Sequence, residues 1–174
     1  MRTDLMLKGA DLLEADALNP EGIKFDLNTW AADARVDLTE PFGVNGLRTF
    51  GYKEDAVIPI NCGTQACAAG LFALSGAFKD QGFSYEITND GRLRLAIQTR
   101  DAFGIRTVLH DWEAVAHLFA IEEPQAWKLF SADNYPPTQR KGAVGELAVA
   151  ARMREMVAEH LARNAGVINQ SDDT

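Results

Sequence analysis

The sequence predicts a mostly helical α+β protein: a single domain with a small antiparallel β-hairpin and a long C-terminal helix. Amphipathic segments with capping and stop residues recur along the chain. One stretch, FSYEITNDGRLRLAIQ, alternates apolar and polar residues on both sides of an Asn-Asp-Gly turn, which is the pattern of a hairpin. With 174 residues, 47% of them hydrophobic, the chain suits one ordinary globular domain. We therefore expect a single domain over residues 1–168 and a disordered polar tail over 169–174.

The N-terminal region predicts two helices. Thr3 can cap a first helix that runs to about Leu18, where Asn-Pro follows. A shorter helix is expected over residues 26–34, with Phe25 and Trp30 pointing inward.

The next segment, residues 35–60, shows neither helical nor strand periodicity. Its only local signals are a tight turn at Asn45-Gly46 and an edge strand over residues 56–60. A connection of this length is uncommon in a compact domain, so it is either functional or contains a hairpin.

A helix is expected over residues 63–78, beginning within INCGTQACAAGLF and stopped by Gly82. The hairpin follows, with strands over residues 83–88 and 92–98. Because a lone hairpin is marginal in water, its apolar face must pack on helices or on a third strand.

After a loop over residues 101–107 the chain is expected to be helical to its end. One helix starts near Asp111 and a second carries Pro124 in its first turn. Thr138 is expected to cap a long last helix that ends near Ala165. The residues expected to form its core-facing stripe are Val144, Leu147, Ala148, Ala151, Met153, Met156, Val157 and Leu161.

Two further expectations concern aromatic and charged side chains. Trp30, Trp112 and Trp127 occur in amphipathic segments and are expected in the core.

Basic residues of the C-terminal region are mixed with acids, which favours an ion-paired, solvent-exposed face. The residues of that face are Arg140, Lys141, Glu146, Arg152, Arg154, Glu155, Glu159 and Arg163.

The net charge of −8 argues against nucleic-acid binding, because an acidic protein repels a phosphate backbone. The N-terminal segment has no uninterrupted apolar core of signal-peptide length, and no apolar run reaches the roughly 20 residues of a membrane span. We therefore expect a cytoplasmic protein whose thiols are reduced.

Cys62 is the one candidate nucleophile that the sequence suggests. It falls at a predicted helix start, where unpaired backbone N–H groups favour a thiolate. A thiol-dependent enzyme would need a base and an orienting acid, and His110 with Asp101 or Asp111 could supply them. The competing interpretation makes Cys62 a small buried residue beside a helix cap, and we favour it because free cysteine is commonly buried.

The spacing of residues along the sequence disfavours a disulfide, a zinc site and a phosphate-binding loop. If both were helical, Cys62 and Cys67 would lie about 7.5 Å apart along the helix axis, which a disulfide does not tolerate. The sequence offers no closely spaced ligand pairs for zinc and no phosphate-binding glycine loop. No cofactor or metal is therefore expected.

Part of the chain resembles a scattered group of small uncharacterised bacterial and phage proteins. The shared pattern is F-x-x-x-x-W followed by C-G-T-x-x-C-x-x-G, and a later A-x-x-L-F helix is similar to theirs. The resemblance covers residues 25–135 and implies a shared fold, with no activity attached. The motif residues in this chain are Phe25, Trp30, Cys62, Gly63, Thr64, Cys67 and Gly70.

The absence of a complete catalytic constellation in the sequence favours a small cytoplasmic binding or regulatory module that is not an enzyme. Its partner would be a protein or a small molecule. The long last helix has more apolar residues than one stripe requires, so we also expect it to offer a homodimer surface. The alternatives are the thiol-dependent enzyme, with Cys62 and His110, and a nucleic-acid-associated phage accessory protein.

Overall fold

A computed structural model describes residues 1–18, 24–28, 65–87, 93–100 and 103–168. Within these ranges it confirms the predicted α+β class, with a small antiparallel sheet and a long C-terminal helix. Several predicted features lie outside the described residues. They are the segment over residues 35–60, the Asn89-Asp90-Gly91 turn and the tail over residues 169–174.

The described elements are five α-helices, five short strands and three 3₁₀ turns. Residues 79–81, 132–134 and 137–139 form single 3₁₀ turns. The named elements are α1 (Thr3–Leu18), β1 (Lys24–Phe25), β2 (Gln65–Ala66), α2 (Ala68–Leu74), β3 (Phe83–Ile87), β4 (Leu93–Arg100), β5 (Arg106–His110), α3 (Asp111–Phe119), α4 (Glu123–Phe130) and α5 (Gly142–Ile168).

The main sheet has the order β3-β4-β5 and is antiparallel throughout. Helices α2 and α3 pack on it, and Phe83, Leu95 and Ile97 are buried there. Strand β5 was not predicted: we expected a loop up to residue 107. Its five residues are too few to show clear alternation in sequence, yet β5 pairs with β4 over its whole length.

Four phenylalanine rings form the centre of the core. Phe72 of α2 meets the rings of Phe78, Phe119 and Phe130 edge-on, with centroids 5.4, 5.9 and 6.0 Å away. Each of these side chains is almost fully buried. Edge-to-face contact of this kind stabilises aromatic pairs beyond the area they bury, so the cluster fixes how α2, α3 and α4 meet.

Helices α1 and α5 form the most extensive helix pair of the described structure, and they run antiparallel. Gly9 of α1 lies against Met153 of α5, whereas Asp16, further along α1, lies against Glu146, nearer the start of α5. The absence of a side chain at Gly9 lets the helices approach, because a Cβ there would lie 2.7 Å from Met153 Cε.

Within the described part of the cysteine motif, residues 65 and 66 are not helical as predicted. Helix α2 begins at Ala68, and Gln65 and Ala66 before it form strand β2 instead of the expected helix over residues 63–78. Strand β2 pairs in parallel with β1. The expected helix over residues 26–34 is likewise wrong at its start, because Asp26 continues β1 into a bridge with Lys141. These pairings join distant parts of the chain, which local periodicity does not reveal.

The last helix differs from its prediction at both ends. Thr138 lies in a 3₁₀ turn and does not cap α5, which starts at Gly142 with a φ of 56°. The helix also continues past the predicted stop at Ala165, as far as Ile168. Glycine lowers the stability of a helix but does not by itself end it.

The first half of α5 faces the core with different residues from those predicted. Val144 and Leu147 are 58% and 47% exposed, while Val149 is fully buried. Glu146, expected on the solvent-exposed face, is only 2% exposed. If α5 is rotated about its axis, a different apolar stripe faces the core. Both orientations are consistent with the hydrophobic residues of this alanine-rich segment.

The prediction that the three tryptophans lie in the core has a different result for each of them. Trp127 is 43% exposed, so its predicted place in the core is wrong. It lies off the buried stripe of α4, which consists of Ala126, Leu129 and Phe130 at the i, i+3, i+4 spacing of one helix face. Trp112 is half-buried against the core, and Trp30 lies outside the described residues.

Candidate functional site

The two halves of the sequence motif meet in the fold. Phe25 lies in β1 and Cys67 directly follows β2, and these two strands pair in register. Phe25, Cys67 and Gly70 are all buried. Trp30, Cys62, Gly63 and Thr64 lie outside the described residues. The motif positions that the structure describes are therefore packing positions.

Cys67 occupies the N-cap position of α2 and its side chain is completely buried. Burial raises the pKa of the Cys67 thiol to about 11, although the backbone N–H groups of Ala69 and Gly70 act in the opposite direction. A thiol with this pKa is protonated at neutral pH and is a poor nucleophile. Cys67 therefore has a packing role. The predicted nucleophile, Cys62, lies outside the described residues.

His110, the predicted base, ends β5 and is paired with a carboxylate that was not predicted. His110 Nε2 lies 2.7 Å from Glu86 Oε2 on β3, in a part-buried hydrogen bond. A carboxylate accepts, so the neutral imidazole carries its proton on Nε2 and keeps Nδ1 as its basic nitrogen. Asp111, the predicted orienting acid, instead accepts from Arg94 Nε at 3.0 Å, and the alternative, Asp101, lies outside the described residues.

These four side chains form two pairs, Glu86 with His110 and Arg94 with Asp111. All four are partly exposed. Asp111 has a φ of 50°, a left-handed backbone conformation that aspartate tolerates better than most residues. His110 is therefore a base that a carboxylate orients.

The turn between β4 and β5 presents apolar side chains to solvent. Phe103 is 89% exposed and Ile105 is 61% exposed. Gly104 between them has a φ of 78°, a left-handed conformation that glycine adopts without strain. At the base of this turn, Arg100 and Arg106 are exposed and pair directly across the strands. We call these five residues the hairpin tip.

The hairpin tip was missed in the sequence because residues 101–107 were interpreted as a loop. The signal that could have found it is the Phe-Gly-Ile triplet between two arginines. Large apolar residues around a turn glycine, with strand residues after it, indicate a hairpin end and not a solvated loop.

An open pocket of about 280 Å³ lies where the start of α1, the α3–α4 connection and α5 meet. Its wall is mixed: Ile121 and Met156 are apolar, while Glu122, His160 and Arg163 are charged or polar. This volume is just below the usual range for small-molecule sites, and the pocket is open to solvent. It is a weaker candidate than the hairpin tip.

A carboxyl pair lies in the interface between α1 and α5. Burial raises the pKa of Glu146 to about 7, and the charge of Asp16 with a hydrogen bond to it acts in the same direction. Glu146 Oε2 is buried and accepts no hydrogen bond within the described part of the chain. This pair was not predicted because Glu146 was expected on the solvent-exposed face of α5.

The fold and these sites define an α+β protein with an oriented histidine, a buried carboxyl pair and an exposed hairpin tip. No protein-family model matches the chain, and no curated protein or solved structure matches it either. Across the described ranges, no three His, Cys, Asp or Glu side chains come together to hold a metal ion. Within the same part of the chain, no helix has both the length and the apolar character needed to cross a membrane.

Proposed function

We propose that the protein is a small, non-catalytic binding or regulatory module that acts through contact with a partner protein. The observation that carries this proposal is the hairpin tip. Phe103 and Ile105 are held at the end of a paired β-hairpin, where they contribute little to the core. Their exposure costs solubility, and contact with a partner would remove that apolar surface from water.

The charges at the tip favour the same function. Arg100 and Arg106 stand directly opposite each other in the β4–β5 register. Like charges at such a position destabilise a strand pair, so this arrangement does not serve the stability of the hairpin. Aromatic residues and arginine are also the residue types enriched at the centres of protein interfaces. The partner that fits is a protein with an apolar pocket bordered by carboxylates.

Affinity capture with matched variants tests this proposal. The wild-type chain is compared with a Phe103→Ser/Ile105→Ser variant and with a Trp127→Ser control, which removes an exposed aromatic residue elsewhere. We expect one protein to be captured by the wild type and the control and lost from the tip variant. The captured protein is then purified, and its dissociation constant for each chain is measured directly.

A second test measures how the dissociation constant depends on salt concentration and on the two arginine charges. Because the contact pairs arginines with carboxylates, we expect the dissociation constant to rise with salt concentration. An Arg100→Gln/Arg106→Gln variant should bind more weakly and depend less on salt. Equal binding of the tip variant and the wild type would refute the role of the hairpin tip.

A thiol-dependent enzyme is the second candidate, and the His110–Glu86 hydrogen bond favours it. A base oriented by a carboxylate is one part of such a mechanism, with Cys62 as the proposed nucleophile. The test is pH-dependent iodoacetamide labelling of a Cys67→Ala chain, in which Cys62 is the remaining thiol. Rapid labelling below the ordinary thiol pKa, slowed by His110→Gln, supports the enzyme. Labelling of Cys62 only after denaturation refutes it.

Two further parts of the proposal rest on the sequence. We propose that binding takes place in the cytoplasm, the compartment that we expect from the sequence. We also propose that the chain shares its fold with the small bacterial and phage proteins that it resembles. The support for this is that Phe25 and Cys67, which belong to separate halves of the motif, are brought together by β1 and β2.

A further inference from the structure

The open pocket between the start of α1, the α3–α4 connection and α5 has an apolar part formed by three elements. Met1 precedes α1, Ile121 lies between α3 and α4, and Met156 lies in α5. All three are half-buried and pack against the hydrophobic core. An apolar group that entered the pocket would remove the rest of their surface from water, which favours binding.

Two opposite charges line the same pocket from different elements. Glu122 lies in the α3–α4 connection, and Arg163 lies on α5. Both are exposed, and neither forms an ion pair with another residue in the described ranges. The pocket therefore has a carboxylate and a guanidinium that do not neutralise each other by direct contact.

Hydrogen bonds within each wall orient the polar groups. Glu122 is the N-cap of α4 in a capping box with Gln125, whose Oε1 accepts from the backbone N–H of Glu122 at 3.0 Å. On α5, the side-chain amide of Asn164 donates to His160 Nε2 at 3.1 Å. The neutral imidazole of His160 therefore carries its proton on Nδ1, which is a donor. Because these groups are held before a ligand arrives, less conformational entropy is lost on binding.

We propose that this pocket binds a free α-amino acid with an apolar side chain. The carboxylate of the ligand pairs with Arg163, since a guanidinium matches the two oxygens of a carboxylate. The ammonium group of the ligand lies toward Glu122, and its side chain contacts Ile121 and Met156. The pocket volume of about 280 Å³ is below the range for drug-sized ligands and suits a molecule of this size.

The two signs of charge in the pocket select this class of ligand. A simple carboxylate or a phosphate ester would bring a negative charge beside Glu122 without a compensating ammonium group. An amine without a carboxylate would bring a positive charge beside Arg163. Like charges at close range weaken binding, whereas a zwitterion meets an opposite charge at each end.

The test is calorimetric titration of the full chain with L-leucine, L-methionine and L-phenylalanine. Any purification tag is placed at the C-terminal end, because Met1 lines the pocket. We expect saturable binding of at least one of these amino acids. Three analogues of that ligand follow: the amine without the carboxylate, the acid without the amino group, and glycine. Each should bind at least about tenfold more weakly, because each lacks one of the three contacts.

Two variants test the charged residues. Arg163→Gln and Glu122→Gln, made separately, should each raise the dissociation constant at least about tenfold. Both residues are exposed, so the melting temperature without ligand should change little. Arg106→Gln and Glu113→Gln are the matched controls, because they remove the same charges from exposed positions outside the pocket. Neither control should change the dissociation constant.

Three results would overturn the proposal. They are no saturable binding of any of the three amino acids at millimolar concentrations, equal affinity for the acid that lacks the amino group, and unchanged affinity in both pocket variants. The proposal goes beyond the proposed binding function, and the pocket shares no residue with the hairpin tip. A negative titration therefore leaves the capture experiment intact.

Discussion

Glu146 of α5 and Asp16 of α1 bring two carboxyl groups together between the packed helices, where a proton on one of them can be shared with the other. Burial, followed by the charge of Asp16, raises the pKa of Glu146 from 4.5 to about 7. The folded chain therefore holds a proton at pH values where the unfolded chain has lost it. The stabilising contribution of a carboxyl group with a raised pKa is fully present below the pKa of that group in the unfolded chain. It is lost as the pH rises through the pKa of the group in the folded chain.

The first prediction concerns Glu146→Gln. The amide keeps the shape of the side chain, carries no charge and can donate an N–H to Asp16 at every pH. We expect the variant to be more stable than the wild type by about 1–2 kcal/mol at pH 8 and nearly equal to it at pH 4.5. Urea unfolding across this pH range measures the difference. Glu155→Gln on the exposed side of α5 is the control and should show no such trend.

A second prediction concerns the ion pairs between α1 and α5. Arg154 donates to Glu14 at 2.8 and 2.7 Å and to Asp11 at 2.6 Å. The hydrogen bonds from Arg154 hold the pKa of Glu14 below its ordinary value. We expect Glu14→Gln to lower the free energy of unfolding by about 0.5–1 kcal/mol, a modest value because both side chains are more than a third exposed.

The pH and salt dependence of Glu14→Gln follow from the lowered pKa. The contribution of Glu14 is present above its unfolded pKa and is lost as the pH falls through its folded pKa, so the variant and the wild type should converge in acid. High salt should also reduce the difference. Chemical denaturation at neutral and acid pH measures both effects. An equal loss of stability in Glu113→Gln on α3 would contradict a specific role for the ion pair.

Gly145→Ala is expected to destabilise the protein although glycine lies within a helix. In an ordinary helix this change stabilises by about 1 kcal/mol. Here a Cβ would lie 2.6 Å from Phe25 Cε1 and 3.2 Å from the backbone carbon of Arg140. We therefore expect a loss of about 1–3 kcal/mol, read from the thermal midpoint. In a Phe25→Leu background the cost should fall, and equal costs in both backgrounds would exclude this contact as the cause.

The fourth prediction concerns the aromatic cluster. Phe72 is fully buried and contacts three other rings. We expect Phe72→Ala to lower the free energy of unfolding by about 3–5 kcal/mol, because it removes a ring and leaves a cavity. Phe72→Leu should cost less, since it keeps most of the volume. Urea titrations of both variants measure this, and similar costs for the two would contradict a cavity as the main cause.

Local signals in the sequence predicted the elements whose stability is local. Thr3–Leu18, Asp111–Phe119 and Glu123–Phe130 were found from caps, stops and apolar spacing, and β3 and β4 from their alternation. Elements that depend on distant partners were not found. β1 and β2 are two residues each and exist through their pairing with each other, and the short β5 depends on pairing with β4.

The candidate sites were less predictable than the fold. His110 was identified, but its partner Glu86 comes from two strands earlier in the chain. Glu146 was misplaced because an alanine-rich helix can be rotated without losing its apolar pattern. The hairpin tip depends on strand pairing that the expected loop did not include. In each case the missing information was tertiary: which surface a residue faces, and which distant side chain it meets.

The pairing of α1 with α5 also has a consequence for synthesis on the ribosome. Domains commonly fold as the chain emerges, starting from the N-terminal end. In this protein the contacts of Glu14 with Arg154 join residues 140 positions apart, so α1 has no α5 to pack against until the last helix has left the exit tunnel. Until then the side of α1 that packs on α5 has no partner helix, and a chain truncated before α5 would leave that side exposed.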